Sequence, residues 1–198
     1  MTPPRSPRTS SASGFSLLEL LLVLAVLAVV LVVVLPNFTA MDGNRLDVAA
    51  AEVADALRYA RTEAMRRGSQ NNLTLTRMIA FDASTSTHHI RVSDYSGYKR
   101  VAAWPNPVDH AAYDVDLYNG ALTQGVTISA VTISNSNGTS AGSVVGFTQD
   151  GAPIQFAGVF GVGLSWPITS CLVQLSYAGH SRQISMDPTG RVVVGPLL

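Results

Sequence analysis

From Leu20 to Leu35 the chain holds no polar side chain, and a single carboxylate, Glu19, stands at the head of that run. Phe15 to Leu35 would extend roughly 30 Å as an α-helix at about 1.5 Å per residue, which matches the hydrocarbon core of a bilayer. No aqueous globular core needs so long an uninterrupted apolar stretch, so the segment is expected to be a transmembrane helix over 15–36. A carboxylate within such a span costs about 2.5–3.5 kcal/mol on insertion scales and therefore requires a partner. An α-amine released by cutting the chain after Gly14 would supply one.

The residues at that junction, Gly14-Phe15-Ser16-Leu17-Leu18-Glu19, resemble the class III prepilin signal of type IV pilins and type II secretion pseudopilins. The resemblance implies that prepilin peptidase, a membrane aspartyl peptidase, cleaves between Gly14 and Phe15 and then N-methylates Phe15. It implies that Glu19, fifth in the mature chain, pairs with the N-terminal amine of a neighbouring subunit during fibre assembly. Pro36 sits where pilins carry a helix-bending proline.

Two other readings of the segment fit less well. A secretory signal peptide has an apolar region of about 7–15 residues followed by a small-residue cleavage site. Here the run is longer, and Pro36-Asn37-Phe38-Thr39-Ala40 offers no such site. A plain signal anchor gives no reason for Glu19. Arg5 and Arg8 precede the span, whereas Asp42 and Asp47 follow it with only Arg45 between them. The positive-inside rule then places residues 1–14 in the cytoplasm as a cleaved leader and the remainder in the periplasm, anchored in the inner membrane. The leader is rich in Pro, Ser and Thr, a composition that does not fold alone.

About 160 residues follow the span, enough for one domain with a real core. The formal net charge is +0, so neither a basic excess for nucleic acid nor an acidic excess for a solvating tail is present. Cys171 is the one cysteine, which excludes an intrachain disulfide and predicts a buried, inert thiol. Leu46, Ala50, Val53, Leu57, Ala60 and Ala64 recur at alternating steps of four and three, the apolar stripe of an amphipathic helix. Asp47, Glu52, Asp55, Arg58, Arg61 and Arg66 fall mostly off the stripe, and Gly68 is a suitable terminator. The periodicity predicts a helix near 44–67 within a segment 37–68, joined to the membrane half through a bend at Pro36 and Gly43. The run Leu57 to Gly68 is similar to the same region of the GspH/FimT class of minor pseudopilins and minor pilins. Arg66-Arg67 complement a helix C-terminus more simply than they form a nucleic-acid patch.

Beyond residue 69 the pattern turns to β. Leu73, Leu75 and Ile79 mark one strand, Ile90 and Val92 another, and Val126, Ile128, Val131 and Ile133 a long or bulged one. Val144 to Phe147 and Ile154 to Phe156 flank the turn Gln149-Asp150-Gly151. Residues 172–177 and 181–186 flank Ala178-Gly179-His180, a hairpin signal. Pro188-Thr189-Gly190 leads to a final strand over Arg191 to Val194. Residues 94–140 read as a loop-bearing insertion. The turn Phe147 to Gly151 and the ending Ile184 to Val192, like the Leu57 to Gly68 run, resemble GspH/FimT domains. The expected fold class is α+β: a long N-terminal helix, membrane half plus amphipathic half, packed on an antiparallel β domain (69–198) of two sheets in a pilin-like arrangement.

Catalytic chemistry is not legible. His88, His89, His110 and His180 lack the spacing of zinc ligands. Asp109, Asp114, Asp116 and Asn119 offer oxygen ligands for Ca²⁺, but Asp and Asn in a loop serve turn chemistry more often. Trp104 and Trp166 precede prolines and suit packing better than sugar-binding platforms. No cofactor, metal or enzymatic role is expected. The resemblance implies a minor pseudopilin of the type II secretion pseudopilus, with a minor type IV pilin acting in pilus assembly or DNA uptake as the alternative. A membrane-anchored periplasmic binding module is the reading from a second class. The implied partners are prepilin peptidase, other pseudopilins or pilins through their N-terminal helices, an inner-membrane assembly platform and membrane lipid. Nucleic acid is disfavoured because phosphate contacts need Lys and Arg, and the tail Val192 to Leu198 has none.

Overall fold

The computed structural model describes residues 16–67, 77–96, 99–141, 144–159 and 162–198, with the helical backbone alone over 32–42. Gly14, Phe15, Leu73 and Leu75, and the side chain of Pro36, lie outside the described residues. The helix α1 covers Leu17–Arg67. The strands are β1 Arg77–Ala83, β2 His89–Ser96, β3 Lys99–Ala103, β4 Asp114–Asp116, β5 Thr127–Asn135, β6 Gly138–Ala141, β7 Val144–Phe147, β8 Pro153–Val159, β9 Val162–Tyr177, β10 His180–Met186 and β11 Val192–Leu197. The chain divides into two compact units, Met1–Ala40 and Met41–Leu198.

In the first unit, described side chains from Leu17 to Leu31 are exposed around the whole helix. In the second, the helical stripe is buried as its periodicity requires. Leu46, Ala50, Val53, Leu57, Ala60 and Ala64 are at most 2% exposed and share one apolar cluster with Phe81, Ile90, Val92, Phe147, Val173 and Leu175. Alanine at half of these positions lets backbone approach backbone closely, and each buried Leu contributes about 1.5–3 kcal/mol. Off the stripe, Arg58 meets Asp55 at 2.9 Å with both exposed, a pair worth little in high dielectric.

The strands are antiparallel and run β11-β10-β9-β8-β7-β1-β2-β3, with β4 on β2 and β5 between β6 and β9. The long β9 is the junction. Its first part pairs with β8, Ile154 opposite Pro167 and Val159 opposite Val162. Its second part pairs with β5 along one register and β10 along another, with Cys171 opposite both Ile133 and Met186. In β5 the register shifts between Ile128 and Ala130. That bulge returns Ile128, Val131 and Ile133 to the buried face despite their uneven spacing. The β9–β10 hairpin turns through Ala178 at φ 49° and Gly179 at φ 85°, two left-handed residues as a type I′ turn demands.

The expected architecture needs correction. The fold is not a long helix on a two-sheet domain: among the described residues strand residues outnumber helical ones, and the eleven strands form one hydrogen-bonded network. Among the described residues no helix is long and apolar enough to cross a membrane, and the helical residues divide between the two units. The two anticipated sheets merge because β9 is long enough to serve both neighbourhoods. The strand content was underestimated because residues 94–140 are not a loop-bearing insertion. Besides the expected strand at Val126 to Ile133, which is β5, they supply β3, β4 and β6 and bury Trp104, Tyr113 and Leu117; those three strands are short and polar-rich, which hides any alternation.

Candidate functional site

The first site is the start of α1. The Ser16 carbonyl accepts from the Glu19 and Leu20 amides at 3.0 and 3.2 Å, which sets the first helical turn. Glu19 lies in that turn and is exposed, where a carboxylate complements the positive helix N-terminus. Leu20, Leu21, Leu22, Val23 and Leu24 follow, each at least half exposed. The result is one anionic group at the end of a helical surface that is otherwise apolar on every side. An apolar surface of this extent marks a contact with lipid or protein, and the carboxylate gives that contact one polar anchor point. Of the residues assigned by sequence, the structure therefore places Glu19. Gly14, Phe15 and the Pro36 side chain lie outside the described residues.

The acidic cluster considered for Ca²⁺ is otherwise engaged. Asp109 accepts from the Ala111 amide at 3.0 Å, and Asp116 accepts from the Tyr118 and Asn119 amides at 2.9 and 3.0 Å. Asp114 faces His89 Nδ1 at 2.6 Å and Arg91 Nε at 2.9 Å. Burial pulls the Asp114 carboxyl upward, but the hydrogen bonds from His89 and Arg91 outweigh it and hold the pKa below the usual value. Hydrogen bonds from Asn119 hold Asp116 low as well. Among the described residues no group of three or more His, Cys, Asp or Glu is placed to hold a metal ion.

A second feature, not anticipated from sequence, fastens the end of α1 to two turns. Arg61 donates from Nε to the Gly151 carbonyl at 3.1 Å and from Nη1 to the Gly190 carbonyl at 3.2 Å. Gly190 has φ 78°, and a Cβ there would lie 2.9 Å from the Gly151 carbonyl oxygen. The two glycine turns thus approach too closely for any side chain. Beside them, Tyr59 donates to the Pro105 carbonyl at 2.7 Å and stacks on Tyr113 at 5.6 Å. The Arg67 guanidinium lies 4.0 Å from the centroid of the Trp104 ring. Arg66 pairs with Glu63 at 2.9 Å. Both arginines of the helix terminus are thereby held by the protein itself. The Asp-Gly and Thr-Gly turns were visible in the sequence, but nothing there joined them to Arg61.

The remaining titratable side chains of the core are passive. Cys171 is 1% exposed, and burial pushes its thiol up to about 12. Burial, reinforced by Asp82, raises Tyr95 to about 12, and burial, reinforced by Glu52 and Asp55, raises Tyr113 to about 12. Unfolded tyrosine titrates near pH 10 and cysteine near 8.5. The folded chain binds these protons more tightly, so their contribution is complete below those values and disappears as pH rises toward 12. The thermal midpoint of the full chain in detergent is expected to fall steadily from pH 9 to 11, and less steeply in Tyr113→Phe. Iodoacetamide at pH 8 is expected to leave Cys171 unmodified until the chain unfolds. A flat alkaline profile, or rapid native alkylation, would contradict this account of the core.

Comparison with curated proteins and with solved structures returns no match for this chain. The family described as the prokaryotic N-terminal methylation motif does match, and it covers the junction, Glu19 and the apolar run. Residues 9–35 therefore carry the prokaryotic N-terminal methylation motif, the prepilin-type signal of type IV pilin-like precursors.

Proposed function

We propose that this chain is a minor pseudopilin, a structural subunit of the type II secretion pseudopilus that acts in protein export across the outer membrane. The observation that carries the reading is the methylation motif at residues 9–35 with Glu19 inside it, on a helical surface whose apolar side chains are exposed. The similarity of the Leu57 to Gly68 run and of the two glycine turns to the GspH/FimT class favours a minor subunit. On this reading prepilin peptidase removes residues 1–14 and methylates Phe15. The apolar run anchors the mature chain in the inner membrane, with its C-terminal unit in the periplasm, before it joins the fibre. The role is structural rather than enzymatic.

Processing is the direct test. Protein purified from membranes of cells with active prepilin peptidase is expected to begin at N-methyl-Phe15 by intact mass and N-terminal peptide mass spectrometry. Gly14→Leu is expected to retain the leader, because the peptidase must admit an extended backbone beside a small residue. Recovery of wild-type protein with residues 1–14 attached would overturn the reading. Deletion of the gene is expected to trap secreted proteins in the periplasm. Loss of surface pili with secretion intact would assign the chain to a type IV pilus instead.

A further inference from the structure

The three-residue strand β4 is joined to β2 by the pairs His89–Asp116, Ile90–Val115 and Arg91–Asp114. So short a ladder is marginal alone; beside it, the Val92 amide donates to the Tyr113 carbonyl at 3.2 Å and the Leu117 amide to the His88 carbonyl at 3.1 Å, which help to hold the excursion between Trp104 and Val126. Its inner face is set by Ile90, which is fully buried. Its outer face brings His89 and Arg91 opposite two carboxylates. His89 Nδ1 lies 2.6 Å from Asp114 Oδ1, and its Nε2 lies 3.4 Å from Asp116 Oδ2. Arg91 Nε donates to the second Asp114 oxygen at 2.9 Å.

Nδ1 is hydrogen-bonded to Asp114 and Nε2 lies at ion-pair distance from Asp116; carboxylates only accept, so the ring can attract both only with an N–H on each nitrogen. The imidazolium has two N–H groups, whereas the neutral ring has one and can serve one carboxylate at a time. We propose that His89 is a pH-dependent clamp: protonated, it ties both Asp114 and Asp116 of β4 to β2, and on losing its proton it releases one of them and loosens residues 104–126. The charged groups facing His89 are Asp114 and Asp116 from β4 and Arg91 from its own strand. His88 does not join them, because its Nδ1 instead accepts from the Ile128 amide at 3.2 Å. Arg91 keeps its guanidinium charge throughout and continues to hold Asp114 after His89 is neutral. The released contact is therefore the one to Asp116, next to the turn that Asp116 itself caps.

The sign follows from the contacts. The clamp is closed where the imidazole is charged and the carboxylates are ionised, and it opens as rising pH removes the imidazole's second proton. The groups involved are roughly a quarter to a third exposed, so screening limits the effect to about three- to tenfold in the opening equilibrium. The excursion presents the exposed apolar side chains Val108, Tyr118 and Leu122, so the clamp would regulate how firmly that surface is presented.

Backbone amide hydrogen exchange on the full chain in detergent tests this at pH 5.5, 6.5, 7.5 and 8.0, with rates corrected for intrinsic base catalysis. Protection factors for residues 113–118 are expected to fall about three- to tenfold from the lowest to the highest pH, while those of the β9–β10 hairpin stay constant. His89→Gln is expected to give low, pH-independent protection in 113–118, and Asp116→Asn is expected to remove most of the pH dependence. Constant hairpin protection certifies that each variant is folded. Equal pH dependence in wild type and His89→Gln, or none in wild type, would overturn the clamp. Neither outcome bears on prepilin processing, which is tested separately.

Discussion

Leu57→Ala is expected to remove about 2–5 kcal/mol of unfolding free energy. Leu57 is 1% exposed and sits in the stripe that also buries Leu46 and Val53. It belongs to the same apolar cluster as Phe81 and Phe147 of the central strands. Truncation removes three carbons from water-free surroundings and leaves a cavity that the helix, fixed at its end by Arg61, cannot collapse to fill. Urea unfolding of the full chain in detergent, followed by Trp104 fluorescence, measures the change. Arg58→Ala, on the exposed face of the same turn, is the control and is expected to stay within about 0.5 kcal/mol of wild type. An unchanged midpoint for Leu57→Ala would mean that the stripe does not contribute to the core.

Glu19→Ala is expected to leave cleavage and membrane insertion intact and to reduce co-purification with other pilin-like subunits on the order of a hundredfold. Cleavage would free the Phe15 amine close to the Glu19 carboxylate at the edge of a low-dielectric region. Each charge is costly there when unpaired, and breaking one partner of a desolvated pair costs about 3–5 kcal/mol. Docking beside another helix of the same kind, with Glu19 meeting an N-terminal amine, removes both penalties. The apolar flanks add packing but little register, because lipid is as apolar as leucine. The charge pair would therefore fix axial position. If Glu19 served its own helix N-terminus alone, its loss would cost about 0.3–1 kcal/mol and leave assembly nearly unchanged. Undiminished co-purification of the Ala variant, in a strain that processes it normally, would remove Glu19 from the assembly contact.

What could be read from the chain depended on how far each signal extends along it. The junction at Gly14 and Glu19 is a contiguous pattern, and the methylation motif matches it at residues 9–35. The amphipathic stripe repeats through five helical turns, so its six positions were legible, although Ala49, Ala54 and Ala56 beside them are buried too; the uneven spacing in Val126 to Ile133 left a long or a bulged strand open, and the strand is bulged. The short strands were not legible. Asp114–Asp116 alternates charge with one valine, and Lys99–Ala103 follows two basic residues with Val101 and two alanines, with no period-2 alternation. Such segments become strands because β2 offers them an edge, a property of the sheet and not of their own residues. The same holds for residues 162–167: Gly163 and Pro167 argue against a strand locally, yet β8 pairs with them. Arg61 and His89 were missed for a related reason. Their partners lie 90 residues and 25 residues away, and spacing along one element carries no information about contacts across the fold.

The sharing of β9 among three partners bears on how the second unit comes apart. A strand with one neighbour can peel away while the rest persists. Residues Cys171 to Ser176 are gripped from both edges, by β5 and by β10, while Val162 to Pro167 hold β8. Displacing this strand by one position would turn Cys171, Val173 and Leu175 out of the core against both neighbours at once. Partial slippage is thus forbidden on either side by the other. Mechanical or thermal loading delivered at β11 or at β3, the two ends of the sheet, must end at the same strand. The β-rich unit should consequently yield as one cooperative block, with β9 the last segment to exchange its amides.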